Sequence, residues 1–237
     1  MGLLNLSVNT TPGVSAFKSN STPTVSLFLI VVITEGIKEE VIYLNKVKQI
    51  CEKNRVTDFK IVILNDYYDS ETKARAQSHP LKRLDALEEW RNKYKDTLSK
   101  GDEEWLICDR DNPSFKKEQY EKVLQRTSKE SIHFIVSNPA FQIWLLMHFT
   151  ADISSLDLDS YEKSKKRLDI VEKELKKYVA GYKHGSLSMI HFVAHIRDAI
   201  NNSKNNPTAS KDLEYLSGSN FGDLLESIES KSGKRIF

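Results

Sequence analysis

Three carboxylates stand just past two apolar runs. Glu35 follows Leu27 to Ile33 (LFLIVVI) and Thr34, and Asp109 and Asp111 follow Trp105 to Cys108 (WLIC). In extended backbone, side chains two positions apart project from the same face, so Asp109 and Asp111 can converge on one hard cation with carboxylate ligands. The arrangement predicts a magnesium site. Glu39 lies at i+4 from Glu35 in the segment where a helix should begin, and a further acidic ligand there would help hold two cations. The alternative for Glu39 and Glu40 is a solvated helix start. Asp66 and Asp69, just beyond the second apolar run, share only proximity with this group.

The elements that must position these residues can be read from the hydrophobic pattern. An unbroken apolar run marks a strand buried on both faces, and the carboxyl ends of such strands are where α/β folds bind ligands. Strands are predicted over Leu27–Ile33, Phe59–Leu64, Trp105–Cys108 and Ile132–Val136. Helical spacing is predicted over Ile37–Asn54, from Pro80 to about Leu98, and from about Ser114 to Arg126. Strand and helix alternate four times before Ser137, which predicts an α/β fold with a parallel sheet flanked by helices. Phe141 to Phe149 reads as a short, nearly all-apolar helix with His148 as a hydrogen-bonded core histidine. Beyond it the chain is helical in pattern, over Tyr161–Val179, Leu187–Asn202 and Phe221–Glu229. His191 and His195 have the spacing of a zinc pair, but Phe192 stands where a base glutamate would be needed.

One segment carries a resemblance. Ser137-Asn138-Pro139-Ala140-Phe141-Gln142-Ile143-Trp144-Leu145-Leu146-Met147-His148-Phe149 resembles the SNPxFExWLLxHF motif of the RloB-like family, a Toprim branch associated with restriction loci and abortive-infection phage defence. Thr34-Glu35-Gly36 with Glu39, Glu40 and Tyr43 resembles that family's TEGxxTExxYF, and Tyr182-Lys183-His184-Gly185 its YKKG. The resemblance implies a Toprim-like, Rossmann-type domain. In it Glu35, Asp109 and Asp111 would hold Mg2+ or Mn2+, activate water and stabilise charge on a scissile phosphodiester, with Glu35 in general acid/base work. Gly36 would permit a tight turn and close backbone approach. Arg110 would neutralise phosphate or pair with a neighbouring acid, Ser137 and Asn138 would cap the next helix or touch a phosphate, and Lys183 and His184 would contact substrate. Gln142 departs from the family's glutamate and keeps its shape while losing its charge.

The function so implied is metal-dependent cleavage of nucleic acid, DNA or RNA and possibly tRNA, in antiphage defence. The chain contains no P-loop, so ATP hydrolysis by an operon-encoded ATPase partner would belong to another protein. Two alternatives stay open: a non-catalytic Toprim-fold interaction or regulatory subunit whose decayed site shows in Gln142, and a phosphoryl-transfer enzyme acting on nucleotides.

Composition bounds the rest. The 237 residues are 39% hydrophobic and 29% charged with a net charge of +2, the profile of a soluble globular protein that names no partner by charge. The two cysteines, Cys51 and Cys108, exclude a disulfide framework and a thiolate metal cage and fit a cytoplasmic protein. No run approaches the ~20 apolar residues of a membrane span. Residues 1–24 read as a flexible arm, 25–150 as the Toprim-like domain and 151–237 as a helical region packed on it.

Overall fold

The computed structural model describes residues 28–64, 79–110, 115–161, 163–207 and 209–237. The proposed N-terminal arm, Asp66, Asp69 and Asp111 lie outside them.

The first apolar run forms β1 (Phe28–Thr34), and its side chains alternate between two cores: Ile30 and Val32 enter one, Leu29, Val31 and Ile33 the other. This double burial is why the run carries no polar residue. Four strands, β1, β2 (Phe59–Ile63), β3 (Glu103–Asp109) and β4 (His133–Asn138), pair in parallel in the order β2-β1-β3-β4. Helix α1 (Glu39–Lys53) packs Tyr43, Leu44 and Val47 on one face. Helices α2 (Pro80–Tyr94) and α3 (Lys117–Glu130) pack Leu84, Leu87, Trp90, Tyr120 and Val123 on the other. The architecture is therefore α/β and Rossmann-like. From β1 the chain moves to β2 on one side and then to β3 on the other, so the order reverses between β1 and β3. In open α/β sheets a crevice opens at such a reversal, outside the carboxyl ends of the strands.

The C-terminal region is mainly helical and shares the α1-side core. Helices α4 (Gln142–Leu146), α5 (Ser164–Tyr178) and α6 (Ile196–Ser203) precede β5 (Gly218–Ser219), and α7 (Gly222–Ser232) follows it; Trp144, Val171, Ile200 and Leu225 all enter that core. Three differences from the sequence pattern have local causes. β5 joins β4 antiparallel, with Ser137 opposite Ser219, a two-residue strand too short to leave a periodicity. The helix expected over 141–149 is confined to α4. The helix expected over 187–202 resolves into 3-10 turns at Met189–His191 and Val193–His195 before α6; Phe192 N–H donates to Met189 O and His195 N–H to Phe192 O. Ile, His, Phe and Val are mediocre helix formers, so Phe192 can enter the core without a continuous helix. His191 and His195 thus belong to separate turns and do not form an i, i+4 helical pair.

His148 is the core histidine the pattern predicts. Its Nδ1 lies 3.1 Å from Trp144 O and its Nε2 3.0 Å from the Tyr43 hydroxyl. Burial lowers its pKa to about 3, so the ring is neutral, donating through Nδ1–H and accepting from Tyr43 at Nε2. In the unfolded chain the same ring titrates near 6.5. Its contribution is complete above that pH and lost as pH falls from about 6.5 towards 3, at about 1.4 kcal/mol per unit. Denaturant titrations at pH 7 and pH 5 are expected to show this loss, and His148→Leu should have a shallower slope. Equal slopes would show that His148 is not the group responsible.

Candidate active site

The structure brings Glu35 and Asp109 together at the strand-order reversal. Glu35 N–H donates to Ile107 O at 2.8 Å, extending the β1–β3 ladder by one residue, and Asp109 N–H donates to Glu35 Oε2 at 3.3 Å across 74 positions. An aspartate oxygen lies at most ~5 Å from its own amide nitrogen, which puts the two carboxylates within about 8 Å of each other. That spacing suits ligands of one cation or of a bridged pair.

The turn into α1 is built around another carboxylate. A Cβ on Gly36 would meet both Glu40 carboxylate oxygens, so the Glu40 carboxylate takes its present place against the turn because position 36 has no side chain. Thr34 Oγ1 donates to Gly36 O across the same turn. Burial raises the Glu40 pKa, and Glu39 adds to this, while a backbone hydrogen bond and His184 oppose it. Beneath the turn lies Arg83, 3% exposed, whose Nη2 is 3.4 Å from Glu35 O. The nearby Cys108 thiol is pushed well above its ordinary range by burial and then by Glu35, Asp109 and Glu40, against which Arg83 acts. Arg83 is thus a buried cation among acidic groups. The sequence hid it, because an arginine beside Lys82 in a helix reads as a solvated face.

Glu39 has a different setting from the one its spacing implied. Helix α1 begins at Glu39, so Glu35 is not on the helix and the i+4 relation does not operate. Glu39 is 3% exposed, and its carboxylate faces Gln142 and a turn of the C-terminal region. Oε1 accepts from the Tyr182 hydroxyl and from Gly185 N–H, each at 2.9 Å, and Oε2 accepts from Gln142 Nε2 at 2.5 Å. A solvated helix start is therefore excluded for Glu39 and Glu40. Gln142, 1% exposed, also places Nε2 2.6 Å from His184 Nδ1. Both amide hydrogens are thereby used, and Oε1 is buried without a partner among the described residues.

The remaining predicted residues are placed as follows. Ser137 Oγ bonds Ser219 Oγ at 2.8 Å, and Asn138 Nδ2 donates to Leu213 O at 3.0 Å. Neither caps α4; both fasten β4 to the C-terminal region. Arg110 is buried, donates from Nη1 to Phe115 O, and packs over the Phe115 and Tyr120 rings at 5.6 and 5.2 Å, with burial lowering its pKa. Lys183 and His184 are exposed.

A cavity of about 200 Å3 joins these groups, lined by Gly36 to Glu40, Asp109, Gln142, His184 and Gly185. Its donors, the carboxylates of Asp109 and Glu40 and the partnerless Gln142 Oε1, are hard oxygens of the kind Mg2+ and Mn2+ take. In donor type the residues fit such an ion. Among the described residues no group of three His, Cys, Asp or Glu is gathered closely enough to hold a metal. Glu39 would have to exchange its present donors to act as a ligand. No helix of the described residues is long and apolar enough to cross a membrane.

Among protein families, the model of the RloB-like protein family aligns with residues 30–228. No curated protein and no solved structure matches the chain.

Proposed function

The chain belongs to the RloB-like family, and from that premise we propose that it is a Toprim-type, metal-dependent nuclease acting in antiphage defence. The observation that carries the reading is the Glu35–Asp109 pair at the strand-order reversal, joined through the Asp109 amide. Glu35 and Asp109, with Asp111 two positions on, are the residues that would hold Mg2+ or Mn2+. Such an ion, when bound, would supply positive charge to attract a scissile phosphodiester and to acidify an attacking water. The Asp109 amide fixes the orientation of the Glu35 carboxylate, which takes the proton from that water. Gly36 leaves room in the cavity wall for the Glu40 carboxylate, which adds a further acidic oxygen beside the metal-holding residues. Arg83, too buried to reach substrate, balances the acidic groups from behind. His184 lines the cavity and Lys183 is exposed next to it in the chain, and both would serve as contacts for nucleic acid. An ATPase partner would supply any nucleotide-driven control.

The purified chain, incubated with end-labelled DNA and RNA pools, is expected to cleave one of them with Mg2+ or Mn2+ and neither with chelator. A second reading, a non-catalytic subunit of a defence complex, is favoured by one observation: the Gln142 amide occupies the Glu39 carboxylate where the family motif has a second acid. Absence of cleavage with either ion and either nucleic acid, alone or with the partner ATPase, would decide for that reading.

A further inference from the structure

On the α1-side core, away from the strand-order reversal, a second cleft of about 430 Å3 opens between the segment after α4, the end of α5 and the start of α6. Its volume lies within the ~300–1,000 Å3 range of small-molecule sites. One wall is aromatic. Phe149 and Tyr178 stack with centroids 5.2 Å apart and planes 6° from parallel, and Tyr178 is 45% exposed at the end of α5. The other wall is polar and comes from His195, Asp198 and Asn202. His195 Nδ1 lies 3.0 Å from Asp198 Oδ2, and Asn202 Nδ2 donates to Met147 O at 2.8 Å. With that amide hydrogen used, Asn202 Oδ1 and the Asp198 carboxylate present acceptors. The exposed ring of Tyr178, in one cleft with carboxylate and carbonyl acceptors, is matched by a flat π-system whose edge carries N–H groups.

We propose that this cleft binds a single nucleobase, stacked on the exposed ring of Tyr178, which Phe149 backs, and hydrogen-bonded through its donor edge to Asp198 and Asn202. Guanine fits best, because its N1–H and N2–H2 are adjacent donors that one carboxylate can accept together, whereas uracil offers a single N–H between two carbonyls. Lys176 and Lys177, exposed in the last turn of α5 before Tyr178, are paired with Glu172 and Glu174 at 3.8 and 2.5 Å, surface pairs that an attached phosphate would have to exchange. Buried Tyr43 of α1 lies between the cleft and the carboxylate cavity. Tyr43 is one helical turn from Glu39, ~6 Å along the axis, and its hydroxyl bonds His148 in the cleft lining. A base held here would belong to a nucleotide a short distance along a strand from the bond being cut. That identification of the source as a strand rests on the nuclease reading; the base site itself does not.

The test is a titration of the full chain in chelator, followed by NMR, with GMP, AMP, CMP and UMP and with a short single-stranded RNA containing one guanine. GMP is expected to bind in preference to the others. Tyr178→Ala should weaken it about 5- to 150-fold, the range of base–aromatic stacking, and Asp198→Asn should erase the preference for GMP. Both side chains are exposed, so both variants should fold. Tighter binding of the oligonucleotide than of GMP identifies a strand as the source, and equal binding identifies a free nucleotide. Absence of binding at millimolar nucleotide, equal binding of all four, or indifference to both variants would overturn the proposal. Since no metal is present, these outcomes are independent of whether the chain cleaves anything.

Discussion

Asp109→Asn is expected to reduce metal-dependent cleavage by at least about 100-fold while the protein stays folded. The substitution keeps shape and leaves the backbone amide that holds Glu35 Oε2. It removes one negative charge from a cluster in which Glu35, Asp109 and Glu40 all act on Cys108, so stability should hold or rise slightly. Cleavage of the labelled pools should therefore vanish at unchanged or higher melting temperature. A D109N enzyme that cuts at the wild-type rate would remove Asp109 from the mechanism.

Gln142→Glu has the largest expected effect on stability. The amide donates to Glu39 Oε2 at 2.5 Å in a site where both side chains are almost wholly buried. A glutamate there sets two carboxylates in contact, and in the metal-free protein one of them must take up a proton or the pair must repel. The cost is a few kcal/mol, and each is worth about 2–4 °C of melting temperature at this chain length. A dication between the two acids would reverse the sign. Melts with chelator should show the loss, and melts with saturating Mg2+ or Mn2+ should recover much of it. Loss that neither ion rescues would make the departure from the family motif structural and leave the non-catalytic reading without its main support.

The legible part of the fold was the part whose residues face two cores at once. LFLIVVI and WLIC can satisfy buried surroundings on both sides only as central strands, and carboxylates at their ends then fall on one edge of the sheet. Glu35 and Asp109 could be paired from sequence for that reason. What escaped depended on contacts between distant segments. Nothing local marks Gly218–Ser219 as a strand, since it is held by Ser137 and by Asn220, whose side chain accepts from Val136 N–H at 2.7 Å. Arg83 looks solvated until α2 is laid against the sheet. Tyr182, part of the segment that resembles YKKG, directs its hydroxyl at Glu39, and Ser137 and Asn138 serve as fasteners rather than caps.

Two of the bonds onto Glu39 come from residues 143 and 146 positions further along the chain. During synthesis β1, α1 and the Asp109 strand emerge first, and the donors for Glu39 are not yet made. A ribosome-bound chain halted before Tyr182 therefore carries the sheet edge with its acidic groups while lacking the turn that orders the start of α1. Domains fold from the N-terminus as they are translated, at ~5–20 residues per second. Completion of this site is thus delayed until late in translation.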